Sequence, residues 1–268
     1  MNIQVADWTE FAESGSGRLL GRTAVTVGVF DGVHRGHQAL IEKIVRHGAE
    51  PAVITFRRSP KQVLYPDTAG AAILSLRQKL RIFEELGVSH TILIDFSEHF
   101  SKLRGRDFIE ILIRQGAVSY LAVGSNFRCG FGLDTDAALI KTRYETAEIR
   151  IEVVPPVRDA TGPISSSRIR AAITAGDLKS AAAALGRNVA LDLRGFKTFR
   201  EGGGTAFHPI GRAVPPDGRY SVMVNGKTSG KNKGKEAEIT IKHGNVCIPP
   251  DFEGNFDAVT DIEFISVF

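Results

Sequence analysis

Between residues 22 and 186 short apolar, β-branched runs alternate with stretches whose apolar residues recur at helical spacing, and this alternation restricts the fold more than any other feature of the chain. Residues 23–30 (TAVTVGVF) form such a run, with the length and bounds of a buried parallel strand. Residues 37–47 follow with Leu40, Ile41, Ile44 and Val45 on one helical face. Residues 52–56, 90–94, 118–123 and 149–154 read as further strands. Residues 74–87, 107–115, 136–147, 166–175 and 178–185 read as helices, and Gly87 is a C-terminal stop for the first of them. Parallel strands need crossover connections, so the pattern predicts an α/β, Rossmann-like domain with a parallel sheet and helices on both faces. Ligands of such sheets collect at the C-terminal strand edge, where the strand order reverses. The loops after Phe30 and after Val123 are therefore the places to look for chemistry.

After Leu185-Gly186 the pattern changes. Short β-like runs at 189–193, 219–224, 237–241, 245–248 and 262–268 are punctuated by glycine, proline and lysine, with no apolar pattern of helical length. A small antiparallel β-barrel is expected there, and the division falls between a domain at 1–186 and one at 187–268. A length of 268 residues is comfortable for two domains. Glu201-Gly202-Gly203-Gly204 and the lysine-rich stretch 227–235 (KTSGKNKGK) read as mobile, solvated loops.

A formal net charge of +4 suits anionic ligands such as nucleotides but is too small to argue for nucleic acid. Cys129 and Cys247 are far apart in sequence, which leaves no disulfide framework or zinc spacing to read. The opening residues carry no basic region followed by an apolar run, and no stretch of 18 apolar residues occurs. Neither a signal peptide nor a membrane span is expected, and a cytoplasmic location is the default.

Three segments carry chemistry. The first, Gly28-Val29-Phe30-Asp31-Gly32-Val33-His34-Arg35-Gly36-His37, leaves an expected strand and opens an expected helix. A helix N-terminus offers free backbone N–H groups and positive potential to an anion. Gly36 lacks a Cβ and lets a phosphate or base come close to the backbone. His34 and His37, at i and i+3, share one face of the first turn and can donate to charge developing on a phosphate. The alternative is two surface histidines at a helix start. A metal pair is disfavoured, because no Glu or Cys completes a zinc spacing. The second segment, Ile164-Ser165-Ser166-Ser167-Arg168-Ile169-Arg170, places three hydroxyls and two guanidiniums at another helix start. Simple N-capping with solvent-facing arginines is its alternative. The third, Val123-Gly124-Ser125-Asn126-Phe127-Arg128-Cys129-Gly130-Phe131-Gly132, is a glycine-rich loop after a strand. Asn126 can read a polar edge there, and Phe127 and Phe131 either flank a planar ring or tuck under the core.

In this order and spacing, GxFDGxHxGH, VGxNFRxG and ISSxxIR resemble the bacterial FAD synthetase family, often fused to riboflavin kinase, and the HxGH and ISSxxIR elements resemble the wider HIGH-type nucleotidyltransferases. The resemblance covers about residues 22–186 and implies transfer of AMP from ATP to FMN, with Mg²⁺ bound through the ATP phosphates, and no membrane or nucleic-acid partner. It implies that ATP meets Gly28, Phe30, Asp31, His34, Gly36 and His37, with Gly124, Asn126, Ser165, Ser166, Ser167 and Arg168. His34, His37, Ser166 and Arg170 would carry the catalysis. Phe56, Arg57, Asn126, Phe127, Arg128 and Phe131 would face the flavin.

Two departures stand out. The family's second strand ends in TFxPHP, whereas Thr55-Phe56-Arg57-Arg58-Ser59-Pro60 lacks the middle proline and the histidine. A riboflavin kinase carries a GFPTAN-like stretch whose Thr and Asn serve nucleotide and metal, and here the nearest run is Phe207-His208-Pro209-Ile210-Gly211-Arg212. The sequence also stops at Phe268, where such kinases continue into a terminal helix. Pro215-Pro216-Asp217-Gly218-Arg219-Tyr220 does resemble the family's entry to a barrel strand. The expectation is a kinase-like barrel without its active site, on an FMN adenylyltransferase. A bifunctional kinase–synthetase and an inactive flavin-binding regulator are the alternatives.

Overall fold

The computed structural model describes residues 3–14, 21–68, 70–201, 203–228, 231–250 and 258–267. The chain divides into two compact units, Met1–Ala69 with Lys79–Ile164, and Gly70–Gln78 with Ser165–Phe268.

The first unit is built on a six-stranded sheet in the order Gln4–Asp7, His90–Ile94, Glu50–Phe56, Thr23–Val27, Val118–Gly124, Arg150–Val154. All five pairings are parallel. Thr23–Val27 is buried along its whole length, which is why its residues read as a continuous apolar and β-branched run. From this central strand the chain first moves outward through Glu50–Phe56 to His90–Ile94. It then crosses to Val118–Gly124 on the other side and on to Arg150–Val154. The strand order therefore reverses between Thr23–Val27 and Val118–Gly124.

Helix Arg35–Arg46 buries Leu40, Ile41 and Ile44. At roughly 1.5–3 kcal/mol for each fully buried side chain, those three residues anchor its N-terminus at the sheet edge. The opposite layer gathers Trp8, Phe11, Phe108, Ile109 and Leu112 over Val25, Ile54, Ile92 and Leu121. The expected strand at 90–94 and the stop at Gly87 are found, the latter with φ +88°. Strand Gln4–Asp7 and helix Trp8–Ser14 lie before the alternation that is legible from residue 22. One is a mostly exposed edge strand of four residues and the other is two turns long, so neither repeats long enough to show a period.

The second unit carries a seven-stranded antiparallel sheet in the order Ala190–Asp192, Ala258–Val267, Gly218–Thr228, Lys231–Lys242, Asn245–Ile248, Gly204–Phe207, Thr198–Glu201. It is the curled half-barrel counterpart of the expected barrel. Helices Ser166–Thr174 and Leu178–Leu185, read from sequence with the first domain, group with this unit. Segment Gly70–Gln78 does so as well: Ser75 Oγ donates to Asp192 at 2.7 Å and Gln78 Nε2 to the Ala190 carbonyl at 3.2 Å.

Two segments read as loops carry strand pairing where they are described. Gly218–Thr228 pairs with Lys231–Lys242 as far as Lys227↔Asn232 and Thr228↔Lys231, and only 229–230 of that stretch lie outside the described residues. Glu201 pairs with Gly204 across a tight turn, of which Gly202 lies outside the described residues. A ladder is held by backbone groups whatever its side chains, so lysine and glycine did not betray the strands.

Candidate active site

The loop after the central strand Thr23–Val27 is compact and strained. Phe30 and Val33 hold left-handed backbone at φ +53° and +38°, and Gly32 lies at +86°. Positive φ is costly for a β-branched residue such as Val33, and strain of this kind concentrates where a chain must present groups to a ligand. The Phe30 side chain is buried, edge-on to Phe83 at 5.6 Å and to His37 at 5.1 Å. A Cβ at Gly28 would meet the Phe30 ring at 3.2 Å, so the glycine makes room for that ring.

His34 is the N-cap of helix Arg35–Arg46 and is itself buried. Its carbonyl accepts from the N–H groups of His37 at 2.7 Å and Gln38 at 2.9 Å. Its Nδ1 faces the His37 N–H at 3.4 Å. With Nδ1 as acceptor, the neutral ring carries its proton on Nε2 and presents a donor there. The two imidazoles stack with centroids 3.6 Å apart and planes 18° from parallel. The i, i+3 pair is thus one stacked unit at a helix N-terminus. Gly36 has a reason to be glycine beyond ligand approach: a Cβ there would sit 3.1–3.2 Å from the His34 ring.

Beneath this loop lies a residue the sequence reading missed. Lys79, in helix Leu76–Glu85, is buried, and its Nζ donates to the carbonyls of Val29 at 2.9 Å and Phe56 at 3.2 Å. Burial brings its pKa down to about 8, against the opposing pull of Asp31. The signal was present in sequence: Lys79 lies three residues after Leu76 and four before Phe83, on the apolar face of the helix.

The other expected residues of this unit lie on loops from neighbouring strands. Gly124 ends a strand paired with Thr23–Val27. Asn126 is exposed and folds back, its Oδ1 lying 3.1 Å from where a Gly124 Cβ would be. Phe127 is half-buried and packs against the core, whereas Phe131 is 63% exposed. Arg128 is exposed and 3.9 Å from Asp136. Gly130, at φ +87°, passes so close to Gly105 that a Cβ would fall 2.1 Å from its backbone nitrogen. Phe56 packs against the core beside Phe96 and Phe100. Arg57 is paired with Asp7 and, at 3.3 Å, with Asp95, and the Asp7 hydrogen bond holds its guanidinium firmly charged.

Ser165–Arg170 belongs to the second unit. Ser165 is the N-cap of helix Ser166–Thr174, its Oγ accepting from the Arg168 N–H at 3.3 Å. Ile169 is buried beneath this turn, Ser166 and Arg168 are half-buried, and Ser167 is exposed. Arg170 Nε donates to the Ala71 carbonyl at 2.5 Å, with its side chain against Gly70. The guanidinium plane is therefore fixed by segment 70–71.

Known proteins bear on both units. The profile of the FAD synthetase family matches residues 18–168, which include the histidine loop, the glycine-rich loop and the start of the serine cluster. The bifunctional riboflavin kinase/FMN adenylyltransferase of Escherichia coli K12 is 33% identical over 212 residues, covering 75% of this chain and 68% of its own. A protein of the same description from Buchnera aphidicola is 27% identical over 238 residues, 86% of this chain and 74% of its own. The FAD synthetase of Listeria monocytogenes is 31% identical over 170 residues, 62% and 69% of the two chains. A solved structure described as a macrolide-efflux protein from Streptococcus pneumoniae superposes with a TM-score of 0.80 at 23% identity, over 100% of this chain and 91% of that one. At that identity it shows the shared fold. No helix among the described residues is long and apolar enough to cross a membrane. With a family profile over more than half its length and those histidine and serine motifs within the match, the chain belongs to the FAD synthetase family.

Proposed function

We propose that this protein transfers AMP from ATP to FMN, giving FAD and pyrophosphate, and that it has no riboflavin kinase activity. The observation that carries the transfer is the stacked His34–His37 pair at a helix N-terminus, directly after a central strand and beside the point where strand order reverses. An FMN phosphate oxygen attacks the α-phosphorus of ATP in line. The new P–O bond forms as the bond to the β-phosphate oxygen breaks, and pyrophosphate leaves with that electron pair. The attacking oxygen is already anionic, so no strong base is needed, and catalysis rests on positioning and charge stabilisation.

In this reading His34 and His37 donate to the phosphates, with the positive end of the helix beside them. Gly28, Phe30, Asp31, Gly124 and Asn126 shape the nucleotide side. Ser165, Ser166, Ser167, Arg168 and Arg170 hold the triphosphate. Magnesium bound through the ATP phosphates would neutralise part of their charge. On the flavin side Phe131 is the exposed ring. Arg57, already paired with two carboxylates, has less to offer the FMN phosphate than its sequence position suggests. The second unit is read as a kinase-like barrel that lost its site, and a domain division near 186 and a cytoplasmic location complete the proposal. The bifunctional alternative is favoured by the descriptions of relatives that match three quarters of the chain. Incubation with ATP, Mg²⁺ and either FMN, phosphopantetheine or nicotinamide mononucleotide tests the acceptor: only FMN should be adenylylated, and preference for another acceptor would refute the reading.

Two variants test the assignments. Gly36→Ala would press a methyl group against the His34 ring, so FAD formation should fall about 10–10²-fold in a protein that still folds, because alanine is a better helix former than glycine. Unchanged turnover would show that the tight fit at Gly36 has no catalytic use. Arg170→Ala should lower kcat/KM for ATP by about 10–10²-fold, the loss of a charged, forked donor, and Arg170→Lys should recover only part of it. If both variants keep wild-type ATP kinetics, then Arg170 serves only segment 70–71.

A further inference from the structure

We propose that Lys79 is a positioning residue for adenylyl transfer, a buried ammonium that straps the ATP-side loop after Thr23–Val27 to the flavin-side loop after Glu50–Phe56. The inference rests on the adenylyl-transfer reading above and assigns a group outside the three motifs.

Lys79 Nζ has three oxygen neighbours: Val29 O at 2.9 Å, Phe56 O at 3.2 Å and Thr55 Oγ1 at 3.4 Å. An ammonium has three donors, and these three acceptors match them in number. Val29 precedes Phe30, where the backbone turns left-handed, and Phe56 precedes Arg57. The two strands are already neighbours, joined by parallel pairing that ends at Val27↔Ile54. Beyond that register, the Gly28 N–H donates to Ile54 O at 3.1 Å and Thr55 Oγ1 to Val29 O at 3.1 Å. The lysine thus extends the connection just past the end of the sheet ladder, where the chain must diverge to meet two different substrates.

Helix packing alone would be served better by an apolar residue at this position, because burying a charge is costly unless its partners compensate. A lysine there is explained by what its charge holds. Asp31 is the charged group whose field acts on it, opposing the effect of burial.

The test uses the full-length protein, with Lys79→Met as an apolar replacement of similar length and Lys79→Gln as a second variant that keeps one donor group. Expected for Lys79→Met is a fall in kcat of about 10²-fold with KM for ATP and for FMN changed less than about threefold, since misplaced loops cost the reacting geometry more than binding. Lys79→Gln should fall between it and wild type. Hydrogen exchange should quicken in the peptides covering 28–34 and 56–59 together, and not in His90–Ile94. Wild-type kcat in a folded Met or Gln variant, or quickened exchange in neither loop, overturns the proposal. If the wild-type protein makes no FAD at all, the adenylyl-transfer reading fails, and the exchange experiment by itself then decides whether Lys79 joins the two loops.

Discussion

Riboflavin incubated with ATP, Mg²⁺ and this protein should yield FMN at least about 10³-fold more slowly than FMN yields FAD, the order of loss when a phosphoryl-transfer site lacks its metal ligands and base. A kinase must hold Mg·ATP and activate a ribityl hydroxyl, and the GFPTAN-like stretch that would do the first is missing from the sequence after residue 190. The nearest run to that stretch, residues 207–212, leaves strand Gly204–Phe207 and turns, with His208 Nδ1 2.6 Å from Asn245 Oδ1. That turn is engaged by segment Gly70–Gln78. The Ala72 N–H donates to Gly211 O at 2.8 Å, the Ala213 N–H to Ala72 O at 2.9 Å, and Arg212 Nη1 to Leu74 O at 3.3 Å. The acidic residues that could supply a base, Glu236, Glu238, Glu253 and Glu263, sit in no recognisable frame in the sequence, and those that are described are engaged. Glu236 accepts from Ser221 at 3.0 Å, Glu238 pairs with Arg219 at 3.1 Å, and Glu263 accepts from Asn188 at 2.9 Å. Glu253 lies outside the described residues. Flavin products separated by chromatography after riboflavin and FMN incubations give the answer. FMN formed from riboflavin at a rate comparable to FAD formation would establish a bifunctional enzyme whose kinase site uses other residues.

His37→Ala should reduce FAD formation by about 10²–10³-fold, the usual loss of one preorganised donor to developing charge. The structure adds a reason for the upper part of that range. His37 stacks on His34 at 3.6 Å and meets Phe30 edge-on at 5.1 Å, so its removal also takes away the ring packed against the second imidazole. The hydrogen bond from the His37 backbone N–H survives the substitution, which leaves the helix N-terminus formed. FMN binding, followed by flavin fluorescence, should change far less than turnover. A folded variant with near wild-type turnover would remove His37 from the phosphate site.

The sequence disclosed the histidine loop because two patterns frame it. Strand Thr23–Val27 is apolar because both its faces are covered, and helix Arg35–Arg46 is periodic because Leu40, Ile41 and Ile44 face the sheet. The residues between them break both patterns, and they show up as a glycine-bearing interruption that carries Asp31 and His34. Lys79 escaped notice because lysine is ordinarily a surface residue, and only its place on the Leu76–Phe83 face marks it as buried. The pairing of Arg57 with Asp7 was invisible because it joins residues fifty positions apart through an edge strand too short to read. The hairpin through Thr228 and Lys231 was hidden by composition, since its ladder depends on backbone groups and not on side-chain hydropathy. Segment Gly70–Gln78 joins the second unit through hydrogen bonds to Asp192, Ala190 and Gly211, which no local pattern encodes.

The central claim is tested most directly by incubating the purified protein with ATP, Mg²⁺ and FMN and quantifying FAD and pyrophosphate together. Adenylyl transfer predicts that the two products appear in equal amounts and that both fall in parallel in His37→Ala. FMN recovered unchanged from a folded, ATP-binding protein, or pyrophosphate released without FAD, would contradict it.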